Sequence, residues 1–430
     1  MRRLLDAALA GLARLLVGLF FRDVEVVGRE RIPRGVPLLL IANHVNSLID
    51  PILVMGYVGA RPRILAKSTL WRHPVVAPLL VLAGAVPVFR AQDDADVSRN
   101  LDTFGRCRET LAAGGNVLLF PEGKSHNQPH QLPLKTGAAR IALETEARHG
   151  PLGLQVVPVG LTYEAKDQFG SRVLVFVGEP VAVAPFVEAY GAQPRAAVRD
   201  LTARMADELE AVTVSHGTWE EARLVDRAAR VMAEGTALSH RFSLRGRVLR
   251  EYFALRESAP ERAASLEEAV AAYDRSLSAL GVEEADLDAT DPVAAPGGRG
   301  LEALLVVPGL IGVALNWLPF RLPGWISERL SRTPDEPATT KLLAALAFFP
   351  LFWLLEATVA ARLGGPLWGA ALLVLAPLTG YASLRAFSRG RPWHGPRLDV
   401  HGRLLGELRT QRQHLREALV EATREVGVRR

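Results

Sequence analysis

Three uncharged apolar runs near the C-terminal side constrain this chain more than any other feature. Ala303 to Phe320 reads ALLVVPGLIGVALNWLPF, Leu342 to Leu355 reads LLAALAFFPLFWLL, and Gly364 to Leu384 reads GGPLWGAALLVLAPLTGYASL. A membrane-spanning helix needs about 20 mostly apolar residues. The third run meets that outright, and the second does if Glu356 and Arg362 sit near its end or face a partner. Trp317, Trp325, Trp353, Trp368 and Tyr381 are aromatics of the interfacial kind. The competing reading, buried core helices of a soluble domain, must place three such runs close together in one chain. Arg321, Arg329, Arg332 and Lys341 separate the first and second runs, and Arg385, Arg389 and Arg391 follow the third. The positive-inside rule then makes 342–384 a transmembrane hairpin with both outer ends cytoplasmic. Pro308, Gly309, Gly312, Asn316 and Pro319 interrupt the first run, which predicts a bent, re-entrant element there.

Composition places the rest. The chain has 430 residues, 49% hydrophobic and 23% charged. That is too apolar for a disordered protein and long enough for two or three domains. Mean hydropathy is +0.13, higher than an ordinary soluble enzyme shows, and the three runs account for the excess. The net charge of +5 comes almost wholly from arginine, since the lysines are Lys67, Lys124, Lys135, Lys166 and Lys341 alone. This bias is compositional, and no nucleic-acid partner is expected. Cys107, the single cysteine, excludes a disulfide framework and a cysteine-ligated metal cluster. At the N-terminus, apolar residues from Leu4 to Phe20 recur at helical spacing, with Asp6 and Arg14 interrupting them and no small-residue cleavage site following. Residues 1–21 read as an amphipathic helix at a membrane interface.

Residues 22–190 alternate strand and helix patterns. Strands are expected at Val24–Val27, Pro37–Ala42, Ile64–Ala66, Val86–Phe89, Asn116–Phe120, Val156–Leu161 and Val173–Val177, with helices at Ser98–Ala113 and Thr136–His149. Such alternation predicts an α/β domain, a mostly parallel sheet covered by helices. A helical region over 191–290 and a Gly/Pro-rich linker over 291–300 follow. The membrane domain is expected over 301–390. Over 391–430, Leu404, Leu408, Leu415 and Leu419 share a face of a cytosolic amphipathic helix.

Chemistry concentrates where expected strands end. PLLLIA runs into Asn43-His44, and Asp50 follows before Pro51 at a helix start. Active sites of parallel α/β sheets form at the C-terminal ends of strands. A histidine that takes a proton needs a partner on its second nitrogen, and Asp50 can turn back to supply one. Alone, this pair also fits a helix N-cap beside a satisfied loop histidine. A second strand, NVLLF, ends in Pro121-Glu122-Gly123-Lys124-Ser125-His126 on the same sheet edge. Gly123 permits close backbone approach to a ligand, and Lys124 and Ser125 suit an anion. Lys67 ends one strand and Arg90 lies just past another, places suited to a phosphate. His126 and His130 could ligate a metal, but solvated loop histidines are the plainer reading, and no metal is required.

These blocks resemble the glycerolipid acyltransferases of the lysophosphatidate acyltransferase-like superfamily. Asn43-His44 to Asp50 resembles the family's first block, with Val45, Asn46, Ser47, Leu48 and Ile49 making the separation one residue longer than usual. Gly84 to Arg90 resembles the second block, Phe120 to Gly123 is identical to the third, and Val157 to Val159 resembles the fourth. The resemblance covers roughly residues 35–180. Lys124-Ser125-His126-Asn127, followed by LPLKTGAARIAL, replaces the common continuation of the third block. It looks like the glycerol-3-phosphate/dihydroxyacetone-phosphate acyltransferase branch typified by fungi, which also carries C-terminal membrane helices.

The resemblance implies a glycerol-phosphate acyltransferase-like fold and a membrane-bound O-acyltransferase. His44 and Asp50 would be catalytic, and Asn43, Lys67, Arg90, Glu122, Gly123, Lys124 and Ser125 would bind substrate. It implies acyl-CoA or acyl carrier protein as donor, glycerol phosphate or a lysophospholipid as acceptor, the bilayer as partner, and no cofactor. The expected location is the cell inner membrane, with the catalytic domain on its cytoplasmic face. No serine or cysteine stands beside His44 as a separate nucleophile, which favours direct transfer. The rivals are lysophospholipid remodelling on another acceptor and a non-catalytic lipid-binding scaffold.

Overall fold

The structure, a computed structural model, describes residues 2–72, 76–89, 100–233, 237–282, 284, 287, 299–331, 333–387 and 400–428. The chain divides into two compact units: Met1–Ser215 with Arg332–Thr339, and His216–Ser331 with Thr340–Arg430.

The first unit is built on an eight-stranded sheet. Its strands are β1 (Asp23–Val27), β2 (Leu38–Ala42), β3 (Arg63–Lys67), β4 (Val86–Val88), β5 (Asn116–Leu119), β6 (Gln155–Tyr163), β7 (Arg172–Val177) and β8 (Val181–Ala182). They lie in the order β1-β7-β6-β2-β5-β3-β4, with β8 beside β6. Pairings are parallel except β6–β7 and β6–β8. Every expected strand is present, with ends within a residue or two; β8, only two residues long, carries too little pattern to be read.

β2 is the centre. All five of its residues are buried, as strands covered on both faces must be. Leu39 and Ile41 join a core with Cys107 and Leu111 of α4 (Asn100–Ala112), Ile141 and Leu143 of α5 (Gly137–His149), and Leu201, Met205 and Leu209 of α7 (Pro194–Ala211). Because α7 packs into this core, the α/β unit runs past residue 190 to Ser215. On α1 (Arg2–Phe20), Ala13, Leu16, Val17 and Phe20 are buried while Leu4, Leu12 and Leu15 stay exposed. The buried face packs on α2 (Ile49–Leu53) and the π-turn Val54–Val58 that continues it. The expected amphipathic helix therefore spends one apolar face on its own domain and leaves apolar side chains for another surface.

In the second unit, α8 (Trp219–Met232), α9 (Leu238–Ser258), α10 (Pro260–Leu280) and the last helix, Val400–Val428, share one core. Leu408, Leu415 and Leu419, foreseen on one face of the tail helix, bury that face against Val225, Val248, Val270 and Tyr273. Glu284 joins these helices, meeting Arg227 and Arg412 and accepting from the Tyr273 hydroxyl. Most of the expected linker 291–300 lies outside the described residues.

The three apolar runs form α11 (Arg299–Leu330), α12 (Pro337–Gly364) and α13 (Pro366–Phe387), which makes the tail helix α14. Pro337–Gly364 and Pro366–Leu384 are each long and apolar enough to cross a membrane. Over the stretch expected to be bent and re-entrant, α11 is a continuous helix with Pro308, Pro319 and Pro323 inside it. Close packing supplies what local propensity lacks. Asn316 Nδ2 donates to Gly312 O on its own helix and to Ala376 O on α13, and its Oδ1 accepts from Trp353 Nε1 of α12 at 2.8 Å. Gly312 allows this approach, since a Cβ there would lie 1.9 Å from the Thr379 carbonyl oxygen. Gly312→Ala must push α11 and α13 apart at a cost of about 1–3 kcal/mol. The expected result is a lowered thermal unfolding midpoint in detergent, and an unchanged midpoint would contradict this packing.

Candidate active site

β2, β5 and β6 run parallel, with Ile41 opposite Leu119 and Ala42 opposite Val159, so their C-terminal ends open on one edge. Each chain leaves that edge carrying polar residues.

His44 follows β2 by two residues. Its Nδ1 lies 2.8 Å from Asp50 Oδ2, at the start of α2. The same carboxylate oxygen accepts from Val45 N at 2.9 Å and Asn46 N at 2.8 Å, and Oδ1 accepts from the Tyr163 hydroxyl. Asp50 is completely buried, so nearly all its lone-pair sites are taken by donors of its own domain. An acceptor on the Nδ1 side keeps the proton there and leaves Nε2 as the basic nitrogen of neutral His44. The imidazole stacks on Phe120, with ring centroids 4.0 Å apart, and its side chain keeps 17% exposure. The extra residue between His44 and Asp50 is absorbed in a turn at Ser47, whose φ of 38° is left-handed.

Sequence reasoning missed Tyr163, which ends β6 and reaches the dyad through strand order alone. Burial, then the adjacent Asp50, pushes its phenol well above the ordinary range, so it stays a donor. Phe21, at the end of α1, packs on it with ring centroids 5.7 Å apart. Lys166 was also missed in this role. Its ammonium donates to Val45 O at 2.9 Å, and its own carbonyl accepts from Asn46 Nδ2. Burial lowers the Lys166 pKa, opposed by Asp335, Asp50 and Asp167.

Two residues expected at the substrate are engaged inside the fold. The Asn43 amide exchanges hydrogen bonds with Leu161, donating to its carbonyl at 3.0 Å and accepting from its N–H at 2.7 Å. It extends the pairing of β2 and β6 past the end of the ladder. Glu122 accepts from the His44 backbone N–H at 3.1 Å and from Leu132 N at 3.3 Å, and it pairs with the His126 ring. Gln128 N donates to His126 Nδ1, which leaves Nε2–H to donate to Glu122. His126 N also donates to His44 O, tying the two turns together. Glu122 therefore holds the backbone that presents His44, and the Asn43 and Glu122 side chains are both buried.

Of the remaining expected residues, Gly123, Lys124, Ser125 and Lys67 stay at the edge. Gly123 has a φ of 78° and lies under the Lys135 side chain, whose Nζ would be 2.5 Å from a Cβ at that position. Lys124 is exposed, Ser125 half-buried, and Lys67 ends β3. Arg90 lies outside the described residues. Cys107 is fully buried, and burial pushes its thiol up to about 12, so it carries no thiolate chemistry.

A fixed imidazole with a buried carboxylate on one nitrogen and a free second nitrogen can take a proton from a weak nucleophile. Residues 23–162, which hold this arrangement, match the protein-family model for Acyltransferase. The segment is an acyltransferase domain of the glycerolipid acyltransferase superfamily. The protein is 27% identical to an uncharacterized acyltransferase of Schizosaccharomyces pombe, over 50% of this chain and 45% of that protein. It is 34% identical to glycerol-3-phosphate O-acyltransferase 2 of Saccharomyces cerevisiae over 31% of this chain and 18% of that one. A chloroplastic 1-acyl-sn-glycerol-3-phosphate acyltransferase of Brassica napus is 29% identical over 33% of this chain and 38% of its own. The chain thus matches less than half the length of each of these relatives.

Proposed function

We propose that the protein is a membrane-bound O-acyltransferase that moves a fatty acyl chain from acyl-CoA or acyl carrier protein to glycerol 3-phosphate or its 1-acyl derivative. The observation that carries this reading is the His44 Nδ1–Asp50 contact of 2.8 Å at the C-terminal edge of the parallel sheet, with Asp50 wholly buried. His44 Nε2 takes the proton of the acceptor hydroxyl as its oxygen attacks the thioester carbonyl. Asp50 stabilises the resulting imidazolium. The carbon–sulfur bond breaks, and the imidazolium returns its proton to the departing thiolate, leaving an ester and a free thiol. Ser47 and Ser125 bond Asp335, and neither hydrogen-bonds the His44 ring, which supports direct transfer over an acyl-serine intermediate.

Lys67, Lys124 and Arg90 are assigned to the acceptor phosphate as cations expected at that edge. The two apolar helices support a place in the bilayer. Arg321, Arg329 and Lys341, on the stretch between the first and second apolar runs, support a cytoplasmic side for the catalytic domain. Names among the relatives support both acceptors.

The test is a panel of glycerol 3-phosphate, its 1-acyl derivative and a lysophosphatidylcholine, with radiolabelled acyl donor and the full chain in detergent. The highest kcat/KM is expected on a glycerol phosphate acceptor. Preference for lysophosphatidylcholine would make the protein a remodelling enzyme, and transfer to none would leave the scaffold reading.

A further inference from the structure

Segment 332–339, far along the chain, belongs to the first unit and meets the turn that follows His44. Asp335, 6% exposed, accepts from Ser47 Oγ at 2.7 Å and from Ser125 Oγ on the same carboxylate oxygen. Thr339 Oγ1 accepts from Leu48 N at 3.1 Å, fixing the segment at a second point. Burial raises the Asp335 pKa, but hydrogen bonds from Ser125, Ser47 and Thr333 outweigh it and hold the carboxyl below the usual range.

The donor arithmetic has a chemical consequence. A serine hydroxyl has one proton and two lone pairs. With one proton each, spent on Asp335 or on the neighbouring serine oxygen 3.1 Å away, the two hydroxyls offer a ligand lone pairs only. Both serines remain half-buried rather than sealed. A phosphate dianion, which only accepts, gains nothing from such a pair and is repelled by the carboxylate behind it. An alcohol, which donates, is suited to it. This differs from the role of Ser125 expected from sequence, where the hydroxyl faces an anion.

We propose that Asp335 makes Ser47 and Ser125 a hydroxyl-reading pair, which accepts a hydrogen bond from the non-reacting hydroxyl of a polyol acceptor and sets Asp335 as a specificity-determining residue. The proposal rests on glycerol 3-phosphate being an acceptor. Asp335 touches no reacting atom and acts through the two serines.

The test compares kcat/KM for glycerol 3-phosphate with that for propane-1,3-diol monophosphate, which keeps the phosphate and one primary hydroxyl but lacks the second hydroxyl. The full-length wild type should prefer glycerol 3-phosphate by about tenfold or more, the scale of a hydrogen bond to a charge-assisted group. Asp335→Ala, which frees both serine protons, should abolish most of that preference. Asp335→Asn keeps one acceptor oxygen and should retain part of it. Equal loss on both acceptors, with the ratio unchanged, would show a merely structural role and overturn the proposal. So would a wild type indifferent to the missing hydroxyl. Wild-type transfer to neither compound would overturn the glycerol 3-phosphate reading, and this proposal with it, an outcome distinct from an unchanged ratio. If Asp335→Ala fails to fold, the Asp335→Asn and Ser125→Ala ratios decide the matter in the same way.

Discussion

His44→Ala is expected to lower kcat for acyl transfer by about two to four powers of ten, the worth of a positioned general base. An alcohol is a poor nucleophile near neutral pH, and among the described residues Asp50 is the titratable side chain that bonds the His44 ring. Asp50, wholly buried and occupied by donors, cannot replace it. The acceptor KM should stay close to its wild-type value, because the imidazole serves mainly the transition state. The ring also stacks on Phe120, so Ala leaves a gap, and circular dichroism with the thermal midpoint separates lost catalysis from lost fold. A variant that folds as wild type and keeps full kcat would remove His44 from the mechanism.

Asp50→Asn comes next in size, with an expected loss of about two to four powers of ten in kcat. Three donors converge on Oδ2: His44 Nδ1–H, Val45 N–H and Asn46 N–H. An asparagine oxygen can occupy that position, which puts its NH2 against the Tyr163 hydroxyl. The phenol must then turn to accept. The fold can tolerate this exchange, but the negative charge that stabilises imidazolium is lost. Steady-state kinetics beside a thermal melt makes the distinction. A large drop in kcat with a small change in midpoint is expected, and unchanged kcat would reduce Asp50 to an anchor of the Val45-Asn46 turn before α2.

The legible part of the fold came from strands covered on both faces. LLLIA and NVLL read as continuous apolar runs because helices bury both of their faces, and polar residues at their ends fall on one edge because the pairing is parallel. His44, Asp50 and the Glu122 turn could be placed from that alone. The role of Glu122 could not. Whether a carboxylate faces a ligand or its own backbone depends on how the β2 and β5 turns dock, and here it accepts from the His44 N–H. Tyr163 was hidden because strand order, not sequence distance, sets it against Asp50. Asp335 was hidden more deeply, since 288 residues separate it from Ser47 and 210 from Ser125. The partners of the small and polar residues of α11 were hidden for a related reason. Read alone they weaken a helix, and their contact with α13, made by Gly312 and Asn316, depends on how the helices pack.

The most direct test of the account is transfer of a radiolabelled acyl chain from acyl-CoA to glycerol 3-phosphate, run with wild type and His44→Ala purified alike. The account predicts labelled monoacyl glycerol phosphate from the wild type and a rate at least about a hundredfold lower from the variant. Equal labelling by the two proteins, or none from the wild type with any glycerol phosphate acceptor and either donor, would contradict it.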